Sequence, residues 1–292
     1  MALDPRALEE KAKKTLQSAS SGFSFFSNKE DKYQNAADLY VQAANAYRLE
    51  KKNKEAGAAF EAAANIHQNK LNEPDDAANI MVDAFKVYRK EYPNDAVRCI
   101  KKAIDRYQAK GNFRRAASHL ENVAELLEVE LGDRKQAMGY YHDAARWYEE
   151  DGAKALANKL WLKEADIAAL EGDYYKALEN YEKVADSSLD NNLMKYSVKD
   201  YWLKAGICVL ATKDLVSARR NLERYKEKDP SFAAQRECQL LSDLIEAVEA
   251  GNQELFTDKL YAYDQLSRLD KWKTEMLVRV KNQIEEADNE FS

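Results

Sequence analysis

The chain has 292 residues, with 45 Lys plus Arg against 51 Asp plus Glu for a net charge of −6, and 45% hydrophobic and 33% charged residues. That balance argues against a disordered chain and gives no global reason to bind nucleic acid or an anionic membrane, so any basic site must be local. Only 9 Gly and 4 Pro leave little turn material for a many-stranded protein, which points to helices, arranged as about two compact domains or one extended solenoid.

From the start of the chain, residues 1–10 lack the basic-then-apolar order of a secretory signal, and no stretch has the length and apolarity of a membrane span. The expected location is cytoplasmic, with any membrane contact made from the cytosolic face. Residues 18–27 then set Phe23, Phe25 and Phe26 among serines and Gly22, with no helical stripe to bury the rings together. Two readings stay open for this loop at about 18–32: it tucks under the first hairpin, or it stays out as a membrane wedge. In lipid, each ring would gain roughly 1.5–3 kcal/mol.

Beyond it a repeat emerges. Ala37, Ala58, Ala77, Ala96, Ala116, Ala137, Ala157, Ala177 and, after a gap near Val198, Ala218 recur about every 20 residues, so two helices make a unit of about 40. Within a unit the spacing is helical: Ala37, Tyr40, Ala44 and Tyr47 share a face, as do Ala137, Tyr140 or Tyr141, Ala144 or Ala145, and Tyr148. Gly132-Asp133 and Gly172-Asp173 place a glycine at a turn and an aspartate where it caps the next helix. The predicted fold is all-α: a right-handed superhelical solenoid of tetratricopeptide-like helix hairpins over 1–229, then a C-terminal helical-bundle cap over 230–292. In the cap, Leu240, Leu241, Leu244 and Val248 mark one helix, and Trp272, Met276, Val280 and Ile284 mark the last. Residues 285–292 read as an acidic, frayed end.

Chemistry is sparse. His67, His119 and His142 lie on different repeats without triad or ligand spacing, and no phosphate-cradling glycine motif is present. Cys99, Cys208 and Cys238 are odd in number and lack CxxC spacing, which fits reduced thiols rather than metal ligands. Neither an enzyme, a metal nor a cofactor is expected; the surface carries the signal. Lys159 and Lys163, one turn apart on a helix whose Leu156, Leu160 and Ile167 are expected to face inward, form a basic pair. Arg114 and Arg115 open the helix of the preceding half-repeat, and Lys199 with Lys204 lies on the following one, so a basic strip follows if these charges share a side.

Several segments resemble the alpha-type soluble NSF attachment proteins. Tyr263-Asp264 followed by Ser267-Arg268-Leu269-Asp270-Lys271-Trp272 is similar to the family's C-terminal signature, and Ser197-Val198-Lys199-Asp200-Tyr201-Trp202-Leu203-Lys204 to another. Ser21-Gly22-Phe23, Phe25-Phe26-Ser27 and the run from Ala36 to Ala44 resemble the family's N-terminal loop and first helix, and Asn158-Lys159 with Lys163, then Ser231-Phe232 with Arg236-Glu237-Cys238, continue in order. The resemblance spans essentially the whole chain.

It implies an adaptor that coats the four-helix SNARE complex and recruits and stimulates the ATPase NSF. On matching positions, Lys159, Lys163, Lys199 and Arg236 would meet SNARE acids, with Arg114 and Arg115 extending the strip where Asn112 and Ser118 stand in place of basic residues of some relatives. Leu193 and Tyr196 match apolar residues that press into the bundle. Phe23, Phe25 and Phe26 match the membrane-attachment loop; Glu246, Glu249, Asp288 and Glu290 match acids that face NSF. The last residues read Glu290-Phe291-Ser292 where the family commonly has leucine at or next to the final position, so Phe291 is the apolar residue expected to substitute. The alternative to this adaptor is a general tetratricopeptide-type scaffold for peptide tails, which would need its cations gathered in one short groove.

Overall fold

Alanine sets how closely these helices approach, and tyrosine fills the space beside it. The computed structural model describes residues 4–20 and 26–290, with side chains for 4–20 and 29–284. The described residues form an all-α chain of two compact units, 1–154 and 155–292. The division falls earlier than the repeat-to-cap boundary expected at 229/230.

In the first unit, α1 (Pro5–Ser20), α2 (Phe26–Leu49), α3 (Asn53–Ile66), α4 (Pro74–Tyr88), α5 (Pro93–Ala109), α6 (Phe113–Val129) and α7 (Arg134–Glu150) each pack on the next in chain order. Ala37, Tyr40, Ala44 and Tyr47 are all buried, as the helical spacing predicts. On α7 it is Tyr141, with both Ala144 and Ala145, that enters the core. Of the nine repeat alanines, Ala58 is exposed: on α3 the buried stripe runs through Ala56, Ala59 and Ala63, because the register there is displaced. A π-helical turn, His67–Leu71, extends α3 and ends on left-handed Asn72.

The buried tyrosines are not left with stranded hydroxyls. Tyr47 donates to Glu9 at 2.8 Å, Tyr88 to Glu61 at 3.1 Å, Tyr141 to Glu128 at 2.8 Å and Tyr148 to Glu121 at 3.4 Å, in each case a carboxylate on a neighbouring helix. Arg98 clamps the same Glu61, while Arg106 and Lys110 hold Asp75 at 2.7 and 2.5 Å and pull its carboxyl down to about 2.

The second unit comprises α8 (Lys154–Leu170), α9 (Tyr174–Leu189), α10 (Lys195–Ala211), α11 (Leu215–Lys228), a 3-10 turn (Pro230–Ala234), α12 (Arg236–Glu249), α13 (Gln253–Leu266) and α14 (Lys271–Glu290). Its centre is α10, which packs against α9, α11, α12 and α14. Val198, Trp202, Leu203, Ile207, Val209 and Leu210 are buried around its whole circumference, the signature of a core helix rather than an amphipathic one. Trp202 stacks on Tyr225, ring centroids 5.2 Å apart, and meets Phe232 edge-on. Leu240, Leu241, Leu244, Trp272, Met276, Val280 and Ile284 are buried, as expected of the cap helices. Residues 285–290, expected to fray, continue α14.

The two glycine-aspartate turns behave as the sequence predicts. Gly132 and Gly172 take φ of 67° and 90°, while Asp133 and Asp173 accept from the backbone N–H groups of Gln136 and Lys176 at 3.0 and 3.2 Å. Leu156, expected inward, is 37% exposed, because the buried face of α8 starts at Ala157 and runs through Leu160, Trp161 and Glu164.

Gly57 on α3 marks the tightest approach: a Cβ there would stand 2.2 Å from Cζ of Tyr88, whose hydroxyl is tied to Glu61. Gly57→Ala is therefore expected to destabilise the fold by about 1–3 kcal/mol in urea unfolding. Gly139→Ala on α7, where a Cβ meets nothing within 4 Å, is expected to stabilise it by about 0.5–1 kcal/mol.

Candidate functional site

The turn between α9 and α10 is built by Asn191. Its Oδ1 accepts from Leu193 N at 3.0 Å, and its carbonyl accepts from Met194 and Lys195 N at 2.9 and 2.8 Å. The tight turn turns Leu193 and Tyr196 outward, 93% and 78% exposed. One turn into α10, the Lys199 ammonium lies 4.8 Å from the Tyr196 ring centroid and 3.3 Å from Glu237 Oε1 at the start of α12. Lys195 reaches Asp229 at 3.5 Å. Between these pairs opens a groove of about 150 Å³ floored by Val198, Trp202 and Phe232.

The candidate cations of the second unit lie on α8, α10 and α12. On α8, Lys159 is exposed and Lys163 half-buried. Asn158 bonds Ser187 near the end of α9, and Glu164 bonds Asn180 nearer its start, so α8 and α9 are antiparallel. Lys204 of α10 meets Asp166 of α8 at 2.7 Å across a sequence separation of 38. Lys199 of α10 meets Glu237 of α12 at the same separation. Lys159 and Lys163 are one turn apart on α8, while Lys199 and Arg236 stand near the starts of α10 and α12.

This differs from the expected arrangement on consecutive half-repeats. A helix intervenes each time, α7 between α6 and α8 and α9 between α8 and α10, so the cations occupy equivalent helices of successive hairpins. Lys204 does not join them: its ammonium lies inside the unit, on Asp166 and over the Trp272 ring at 4.8 Å. In the first unit, Arg114 is exposed and 3.6 Å from Asp151, whereas Arg115 is fixed over the Tyr107 ring at 4.3 Å and donates to Asn79 at 2.9 Å. Arg236 donates to the carbonyl of Leu266 at 3.3 Å.

On α12, Glu246 is exposed and Glu249 is gripped by the Arg219 guanidinium, which holds its carboxyl below the usual range. Asp288 and Glu290 fall in the last turns of α14 with side chains outside the described set, as is that of Phe26 at the start of α2. Phe23, Phe25 and Phe291 lie outside the described residues.

The site rests on a buried polar frame that sequence reasoning did not single out. Lys273 is buried between Asp200 at 2.6 Å and Asp270 at 2.9 Å; burial opposes its charge, yet the two carboxylates hold its pKa above the ordinary value. The Trp272 indole donates to the Asp166 carbonyl at 3.0 Å and Arg279 to that of Leu170 at 2.8 Å, so α14 is hydrogen-bonded to α8. Glu237 was also missed; its place directly after Arg236, and the repeated 38-residue separation, are the available signals. Among the described residues, His67, Glu73 and Asp76 have metal-compatible spacing, their ligand atoms within 4.8 Å of one another, and His67 Nδ1 is already paired with Glu73 at 2.8 Å. No described helix is long and apolar enough to cross a membrane.

This layout offers recognition, with apolar side chains and cations displayed together on a rigid helical base. The family model described as soluble NSF attachment protein, SNAP, matches residues 3–285. The chain belongs to the SNAP family. It is 63% identical over 292 residues to a probable vesicular-fusion protein sec17 homolog of Neurospora crassa, covering 100% of both chains. It is 38% identical over 289 residues to the alpha-soluble NSF attachment protein of Saccharomyces cerevisiae, covering 99% of each. The human alpha-soluble NSF attachment protein is 37% identical over 279 residues, covering 96% of this SNAP and 94% of the relative.

One titrating group of this SNAP lies beside Arg115 in the first unit. His119 stacks on Tyr107 with both ring nitrogens buried and unbonded, and burial, reinforced by Arg115 and Lys86, lowers its pKa to about 4. An unfolded histidine titrates near 6.5, so between those values the unfolded chain binds the extra proton and stability falls as pH drops. The melting temperature is expected to decline from about pH 6.5 to pH 4, and His119→Phe is expected to flatten that part of the profile.

Proposed function

We propose that this SNAP is a non-catalytic adaptor that binds assembled SNARE complexes and recruits and stimulates an NSF-type ATPase for their disassembly in vesicle fusion cycles. The observation that carries this reading is the display to solvent of Leu193, in the turn before α10, and of Tyr196, beside Lys199 at the start of α10, a helix largely buried beyond that point. Large apolar side chains held rigidly in water at a cationic rim fit a partner surface that is apolar between acidic ridges, as a bundle of acidic amphipathic helices is. Family membership and the relatives' names, which tie those proteins to vesicular fusion and NSF attachment, support the same role.

In this proposal Leu193 and Tyr196 press between helices of the bundle, and Lys159, Lys163, Lys199 and Arg236 face its acids. Arg114 and Arg115 extend the contact; Arg115 contributes less, because Tyr107 and Asn79 hold it. Phe23, Phe25 and Phe26 attach the protein to the cytosolic face of a membrane. Residues 230–292 act as a cap that offers Glu246, Glu249, Asp288, Glu290 and Phe291 to the ATPase, with Glu249 exchanging Arg219 for a partner cation.

Reversing Lys159 and Lys163 together to Glu is expected to weaken binding to an assembled SNARE complex about tenfold at physiological salt, given roughly 0.5–1 kcal/mol per exposed charge pair. Circular dichroism should stay unchanged; equal binding by the variant would count against this surface. Deleting residues 288–292 should spare SNARE binding and reduce stimulation of purified NSF. An undiminished ATPase rate would remove the tail from the proposal.

A further inference from the structure

Glu237 is an unusual carboxylate. It is 7% exposed, its Oε2 is buried without a hydrogen-bond partner, and its Oε1 is shared by the Lys199 ammonium at 3.3 Å and the Tyr263 hydroxyl at 3.4 Å. A buried carboxylate with one orphan oxygen is costly unless a cation neutralises it. Lys199 is the one lysine or arginine paired with it among the described residues; the other buried cation nearby, Lys273, is committed to Asp200 and Asp270. The Lys199 side chain nevertheless keeps 25% exposure and leans on the ring of solvent-facing Tyr196. The ammonium therefore stands between an internal acid and the surface where a partner would dock.

We infer that Glu237 is a specificity-determining residue of that surface: an internal carboxylate that occupies Lys199 and that an external acid must outcompete. The inference rests on the SNARE-binding reading above. A lone acid gains little by drawing Lys199 away, because the move strands Glu237 in a buried site. A partner that covers Tyr196 and Leu193 in the same event supplies the burial that offsets the loss, so the pair favours an assembled helical bundle over single acidic segments. Tyr263 cannot take over the role of Lys199, since burial and the Glu237 charge push its own pKa up to about 12 and keep it neutral.

Two measurements on the full chain test this. The first is limited acetylation with acetic anhydride, read by mass spectrometry, with Lys159 as internal reference. Glu237→Gln keeps the side-chain shape and removes the charge, so Lys199 labelling is expected to rise about threefold or more, as expected for an amine released from a pair worth roughly 0.7 kcal/mol or more. Glu237→Asp, which keeps the charge on a shorter stem, should fall between. Unchanged Lys199 labelling in a folded Glu237→Gln protein overturns the inference.

The second is binding to an assembled SNARE complex and to the separate SNARE segments at low salt. Glu237→Gln should tighten binding several-fold, narrow the preference for the assembled complex, and lose both effects when combined with Lys199→Met. Equal or weaker binding by Glu237→Gln, with the melting curve preserved, overturns the inference while leaving the adaptor reading intact. If the unaltered protein binds no SNARE complex, the adaptor reading falls, and the labelling ratio alone decides whether Glu237 holds Lys199.

Discussion

The structure depends on a hydroxyl-to-carboxylate contact repeated along the chain. A tyrosine lies in the gap that small residues leave between helices, and its hydroxyl ends on a Glu or Asp of a neighbouring helix. Tyr47 with Glu9, Tyr88 with Glu61 and Tyr141 with Glu128 do this in the first unit; Tyr181 with Asp166 and Tyr225 with Glu182 do it in the second. The ring supplies burial, and the acid satisfies the one polar atom that burial would strand. A pair of purely apolar side chains would pack as well but would slide; a bond to one named carboxylate sets the height of one helix against the next.

Bonding of the same kind ties together the helices that carry the candidate surface. Asp166 of α8 engages Lys204 of α10 and Tyr181 of α9, and Glu237 of α12 engages Lys199 of α10, so polar bonds tie together the helices that carry Lys159, Lys199 and Arg236. The acid that ties α12 to α10 also restrains Lys199. Glu249 under Arg219 follows the same pattern on the proposed ATPase-facing side. A net-acidic protein can in this way display a cation such as Lys199 beside its own counter-charge, Glu237.

Much of the fold was legible in the residues, because alanine and tyrosine at helical spacing admit one solution. The Gly132-Asp133 and Gly172-Asp173 turns were readable for the same reason: each residue type has a single backbone use there. Failures came where spacing was ambiguous by one position. Ala58 and Leu156 both sit one step off the buried face, and periodicity taken across a turn cannot resolve a step of that size. At the site, the family resemblance named Leu193, Tyr196 and Lys199, and these residues lie around the start of α10. Lys204 turned out to be internal, because one side of a helix that is apolar all round gives no sign of where a charge points. The acids behind the cations were illegible, since burial of Glu237 or pairing of Lys273 depends on α12 and α14 arriving from more than thirty residues away.

The burial of α10 on every side has a mechanical meaning. A helix held by one stripe peels from its support turn by turn when its end is tugged, each turn yielding in sequence at low load. A helix enclosed by four neighbours resists an axial tug as shear, with Trp202, Leu203, Ile207 and Leu210 all loaded at once. Leu193 and Tyr196 project from the tip of such an enclosed rod, so torque or traction applied there reaches the centre of the unit without first unravelling its edge.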